Sequence, residues 1–391
     1  MSKFIPLSIP NLCGRELEYL TDAINQGWVS TGGNYITSFE QHIAEYLGAS
    51  GAVACQSGTA GLHLAMRLCD VGIGDEVIVP TLTFIAAVNP VRYSGAEPVF
   101  MDCDDDLCMD TEKLEKFLSK ECELNNGTLY NKTSHKRIKA IEVVHVFGNI
   151  CNMERVMDIA EHFGLPVVED ATEALGSLFT AGRYKGMYAG TVGNIGVYSF
   201  NGNKIITTGG GGMLVARSSN DLKRARYLST QAKDDEKNFI HGDVGYNYRM
   251  TNVQAAIGVA QLEKLEDFIE VKRNNYQLYI KLLSNIPGLS ILPFKDNIRT
   301  NYWFYSLCVC KEEYGMSSGS LIEYLSKNGI QSRPIWGLIG EQKPYIKNQS
   351  YDVERAPYFR ERIVNLPCST NLKSEEVEFI CNVIKNAWVV K

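Results

Sequence analysis

The chain has 391 residues, 45% hydrophobic and 21% charged, the balance of a soluble globular protein with room for two domains and a large core. A net charge of −6 argues against an extended nucleic-acid footprint, and no run of about 18 apolar residues offers a membrane span. The amino terminus, Met1-Ser-Lys-Phe-Ile-Pro-Leu-Ser8, lacks the apolar centre of a signal peptide, so a cytoplasmic location is expected, with reduced cysteines and silent glycosylation sequons at Asn126, Asn131 and Asn348.

In chain order, residues 14 to 26 and 38 to 47 read as helices. From Ala52 to about Val215 short apolar strands alternate with helices, as in Glu76-Val-Ile-Val-Pro80, Pro98-Val-Phe-Met101, Ile138 to Val144 and Pro166-Val-Val-Glu169. That alternation predicts a largely parallel sheet covered on both faces. Glu121 to Arg137 is polar, contains Asn-Asn-Gly and reads as an exposed excursion. Residues 251 to 284 are strongly helical. Beyond Asn285 the pattern is mixed: a strand-like Trp303 to Cys310, a helix near 318 to 328 and another from Ser374 to Ala387. Cys308 and Cys310 alternate onto one side and read as small buried hydrophobes. His63, His145 and His241 show no metal-ligand spacing, and no metal is expected.

Three segments carry chemistry. In Val53-Ala-Cys-Gln-Ser57-Gly58-Thr59-Ala60, a strand, a tight turn and a helix follow one another. Free N–H groups and the helix dipole at Ser57 to Thr59 suit a phosphate, although an ordinary capped helix gives the same pattern. Pro166 to Gly176 reads as a buried strand ending in acids. Asp170 at its carboxyl end can pair with a protonated pyridine nitrogen or cap a helix with Glu173. In Tyr198-Ser199-Phe-Asn-Gly-Asn-Lys204-Ile-Ile-Thr-Thr-Gly-Gly-Gly-Gly212 a lysine stands between an apolar strand and four glycines. A partly desolvated lysine there can attack an aldehyde, and glycines let the backbone pass close to a bulky planar group.

Phosphate turn, carboxylate, serine and lysine follow in that order. With Gly27-Trp28-Val-Ser30-Thr31-Gly-Gly33, Pro80 to Ala87 and Gly245-Tyr-Asn247-Tyr-Arg249-Met-Thr-Asn252, the chain resembles the fold-type I pyridoxal phosphate enzymes. More closely, it resembles the sugar aminotransferases of the DegT/DnrJ/EryC1/StrS family. The resemblance implies an α/β architecture: a large domain over residues 1–250 with a mostly parallel seven-stranded sheet, connecting helices over 251–284, and a smaller α/β domain over 285–391. It implies pyridoxal phosphate held by Lys204, with Asp170 on the pyridine nitrogen, Glu173 toward the phenolic oxygen or substrate, and Phe84 on the ring face. Ser57, Gly58, Thr59 and Ser199 would hold the phosphate. Asn247 would reach the phosphate in a neighbouring subunit, which makes the working unit a homodimer with shared sites. Trp28, Ser30, Thr31, Arg249, Arg333 and Trp336 are the substrate-side candidates.

The run from Phe200 through the glycines is similar to one branch of the family, as are Gln331 to Trp336 and Leu366 to Leu372. That branch moves an amino group from L-glutamate to C4 of UDP-linked 4-keto-6-deoxy-2-acetamido sugars, toward bacillosamine or legionaminic acid. Alternatives within the family are GDP-perosamine synthesis and amination of dTDP-linked 3-keto or 4-keto sugars. A dehydratase relative carries histidine for the lysine, against which Lys204 argues. Outside the enzymes stands a regulatory dimer that kept the fold, against which intact Lys204, Asp170 and Ser199 argue.

Overall fold

A computed structural model describes residues 4–388. Seven strands form the centre of the large sheet: β1 (Ala52–Cys55), β2 (Asp75–Pro80), β3 (Glu97–Met101), β4 (Arg137–Val144), β5 (Val167–Asp170), β6 (Ile195–Ser199) and β7 (Gly212–Ala216). Their spatial order is β1-β7-β6-β5-β4-β2-β3, and β7 alone runs antiparallel to its neighbours. The fold class is therefore α/β, and the seven central strands are parallel apart from one.

Side chains alternate across the pleat into two cores. Val53, Val77, Val79, Val168 and Leu214 meet α3 (Gly58–Leu68) and α4 (Ile85–Tyr93) on one face. Ala54, Ile78, Val167, Met213 and Val215 meet helices on the other. Both faces being dry explains why these strands are nearly continuous apolar runs.

The polar stretch after residue 121 is exposed from Glu123 to Gly127, as expected. It is a hairpin, Cys122–Asn125 with Thr128–Asn131, turning at Asn126-Gly127 with φ of 49° and 77°. Asn and Gly tolerate that backbone, which matches the twist of the strands. The hairpin also buries Leu129 and Asn131, and the Asn131 amide donates to Glu76 at 2.8 Å and Gln349 at 2.7 Å.

The C-terminal third builds an antiparallel sheet of β8 (Leu289–Ile291), β9 (Tyr305–Val309), β10 (Arg333–Pro334) and β11 (Ile363–Leu366), in the order β8-β9-β11-β10. Cys308 and Cys310 are half-buried here rather than buried, because they lie near the end of β9. The same third of the chain also returns to the large sheet, where Ser350–Tyr351 pairs in parallel with β3 and covers its edge. Asp102, just past β3, fixes that return. Its buried carboxylate accepts the N–H groups of Glu354, Arg355 and Ala356, each at 2.8 Å, and the ammonium of Lys113 at 2.8 Å.

Candidate active site

The carboxyl ends of β1, β2, β5 and β6 and the start of β7 share one edge of the sheet, where open α/β sheets place their sites. A cavity of about 370 Å³ opens there. It is lined by Ser57, Gly58 and Thr59 from the β1–α3 turn, by Phe84, by Asp170 and Glu173 after β5, and by Ser199 and Lys204 after β6. Sequence positions spread over about 150 residues thus meet because parallel strands all end on one side.

The first turn of α3 is built for an anion. The Ser57 hydroxyl accepts the Ala60 N–H at 3.0 Å, capping the helix. The N–H groups of Gly58 and Thr59 have no protein acceptor among the described residues, and both residues line the cavity. Two glycines hold this turn against its neighbours. A Cβ on Gly58 would sit 2.9 Å from Ser199 Cβ, and one on Gly212 would sit 2.5 Å from the Ser57 carbonyl. The turn, Ser199 and the start of β7 therefore pack backbone to backbone, leaving a cradle of N–H and hydroxyl groups.

Two buried carboxyls also line the cavity. Asp170 Oδ1 accepts the Thr172 N–H at 3.0 Å. Burial raises the Asp170 carboxyl above its ordinary value, against the pull of Thr172, Lys204 and His145. An opposite charge set against it favours the ionised form. Glu173 accepts the Phe147 N–H at 2.9 Å, and burial pushes its carboxyl up to about 7, moderated by Lys204. The Lys204 Nζ lies 3.6 Å from Glu173 Oε1 and 4.1 Å from the centre of the Trp303 ring.

The residue before Asp170 faces the opposite side of the sheet and does different work. Glu169 accepts the N–H groups of Gly190, Val192 and Gly193, and His145 Nε2 lies 2.7 Å from it. That buried network fixes the end of β5 and with it the aim of Asp170.

The remaining expected residues fall in two groups. Trp336 lines the cavity and packs on Phe147 with ring centres 4.8 Å apart. Asn247, Trp28, Ser30, Thr31 and Arg333 do not line it and are exposed. Arg249 is held in an ion pair with the buried Glu40. Glu40 also pairs with Arg226 at 2.8 Å, and a buried carboxylate needs such partners to offset its desolvation cost.

A cradle of free N–H groups, a buried carboxylate and a lysine in one cavity is the arrangement that the motifs led us to expect. The family model for the DegT/DnrJ/EryC1/StrS aminotransferases matches residues 10–385. The chain belongs to this family. It is 36% identical over 388 residues to a GDP-perosamine synthase of Escherichia coli O157:H7, covering 99% of each protein. It is 35% identical over 389 residues to EpsN of Bacillus subtilis, whose name assigns it to the pyridoxal phosphate-dependent aminotransferases, covering 98% of this chain and 96% of that one. The crystal structure of a family aminotransferase from Brucella abortus superposes with a TM-score of 0.86 at 25% identity, over 96% of this chain and 95% of that one. As a family member the chain is an aminotransferase.

Part of the wall is not legible in the sequence. Trp303 and Phe304 line the cavity, although the pattern of their segment reads as strand. The strand starts at Tyr305, and Tyr302 has φ of 54°, which turns the chain before it. Asn201, Asn203 and Thr172 also line the cavity. The signal for the asparagines was their place beside Lys204; nothing in the periodicity marked the two aromatics.

Proposed function

We propose that the chain is a pyridoxal phosphate-dependent aminotransferase that moves an amino group from L-glutamate to C4 of a nucleotide-linked 4-keto-6-deoxy sugar. The first candidate substrate is UDP-2-acetamido-2,6-dideoxy-4-hexulose. The observation that carries the chemistry is the single cavity holding the α3 anion turn, Asp170 and Lys204. Pyridoxal phosphate supplies an electron sink when bound. The Gly58 and Thr59 N–H groups, Ser57 and Ser199 would bind its phosphate. Asp170 would keep its pyridine nitrogen protonated. Phe84 would bind against the ring, and Glu173 would serve the phenolic oxygen or the substrate. Lys204 would hold the cofactor and, when its amine is free, would move the donor's α-proton.

The UDP sugar rests on the likeness of the Phe200–Gly212, Gln331–Trp336 and Leu366–Leu372 runs to one branch. The E. coli relative's name favours a second reading, a GDP-linked 4-keto-6-deoxy sugar as acceptor. Cytoplasmic action on soluble nucleotide sugars goes with either; no helix among the described residues is long and apolar enough to cross a membrane. The test is optical. Purified protein loaded with pyridoxal phosphate should absorb in the visible, and L-glutamate alone should bleach that band. UDP-, GDP- and dTDP-linked keto sugars are then ranked by how fast each restores it. Lys204→Ala should fold and bind without bleaching; a band indifferent to every amino donor in the unmodified enzyme would overturn the proposal.

A further inference from the structure

The residue set that faces Lys204 is not explained by binding alone. The ε-nitrogen lies over the Trp303 indole, 4.1 Å from the ring centre and within cation–π range. Trp303 is 3% exposed and is held at three points. Its indole N–H donates to the Asn203 carbonyl at 2.9 Å, directly beside the lysine. Its backbone N–H donates to Asn301 Oδ1 at 3.0 Å, and its carbonyl accepts the buried Lys272 ammonium at 3.0 Å. The Asn301 amide in turn donates to the carbonyls of Glu173 and Leu175, each at 2.9 Å. The ring is therefore fixed relative to both Glu173 and the Lys204 turn.

We propose, on the aminotransferase reading above, that Trp303 is the positioning residue of Lys204. Its indole face holds the ammonium that the lysine becomes on taking the donor's α-proton, and its N–H fixes the lysine's backbone. The proton leaves the α-carbon and converts the free amine to ammonium. The C–H electron pair stays with the conjugated cofactor, and the ammonium later gives the same proton back, so no further reactant is needed. An aromatic face suits this task because it attracts a cation and cannot take its proton. Glu173, 3.6 Å away, is a carboxyl that can.

The test compares Trp303→Phe, which keeps an aromatic face, with Trp303→Met, which keeps bulk without one. Single-turnover bleaching by L-glutamate is measured with hydrogen and with deuterium at the α-carbon. Trp303→Phe should stay within about fivefold of the unmodified enzyme. Trp303→Met should be slowed by about thirtyfold, the equivalent of ~2 kcal/mol for a desolvated cation over a ring, with a larger isotope effect and unchanged cofactor content. A Met variant within threefold, a Phe variant slowed as much as Met, or a slowed Met variant with an unchanged isotope effect would each overturn the assignment. A second measurement needs no cofactor: reductive methylation of Lys204 in the apoprotein, read by peptide mass. It should be faster in Trp303→Met than in Trp303→Phe, and equal rates would overturn the assignment. If the unmodified enzyme answers no amino donor, the aminotransferase reading fails, and the methylation arm still decides whether the ring holds the ammonium.

Discussion

Glu173 shows how one side chain ties stability to chemistry. Burial lifts its carboxyl from 4.5 to about 7 in the folded protein. Between those values the folded state keeps a proton that the unfolded chain has lost, so stability is present below about pH 4.5 and declines as pH rises through 7. The full change is on the order of 3 kcal/mol. Glu173→Gln removes the titration and leaves the shape. Melting curves of the two apoproteins should lie closest near pH 5, and the variant should gain a few degrees on the unmodified chain by pH 8. A constant offset across that range would mean that Glu173 is already ionised in the fold. The residue's place three positions after Asp170 was legible in the sequence. Its near-neutral carboxyl was not, because the groups packed on it come from other segments, around Phe147 and Asn301.

Among the elements, the helix Arg355–Arg362 depends on a residue about 250 positions before it. Its first N–H groups have no side-chain cap of their own and end on Asp102. Burial would raise that carboxyl, but Lys113 and the three N–H donors outweigh burial and hold it below its ordinary range. A depressed carboxyl stabilises the fold above its unfolded pKa and loses that contribution as pH falls through the folded one. Asp102→Asn should cost about 2–4 kcal/mol near neutrality in denaturant titrations. The gap to the unmodified chain should narrow below about pH 4; a gap that stays level down to pH 3 would show that the charge contributes nothing. Helix caps that come from the next few residues can be read locally, as at Ser57. A cap delivered across the interface with the large sheet cannot.

At the scale of the whole molecule, the exposed side chains pose a question that one subunit does not answer. Trp28, Val29, Phe239, Ile240 and Val244 are large, apolar and half or more exposed, and Asn247 stands outside the cavity in the same sequence region as the last three. We propose a twofold dimer that buries these segments and brings Asn247 to the other subunit's phosphate turn, which would account for both observations. Sedimentation should give a dimer. Lys204→Ala and Asn247→Ala, each weak alone, should recover about a quarter of full activity when mixed and allowed to exchange subunits, since half the dimers then carry one intact site. A monomer that is fully active would reject the shared site.

The sequence by itself determined which segments supply the candidate site and in what order they lie along the chain. Strand and helix periods are local, the anion turn is read from a few neighbouring residues, and a lysine before four glycines is a local signal too. It also placed the strands whose ends form the site, from their apolar runs. The tertiary structure alone decided what surrounds them: the indole against Lys204, the burial that moves Glu173, the Glu169 network behind Asp170, the Glu40 partner that takes Arg249, and the return of Ser350–Tyr351 to the large sheet. Those features are set by contacts between segments from about twenty to about 250 residues apart along the chain. Their energies depend on desolvation and packing that no local pattern of residues records.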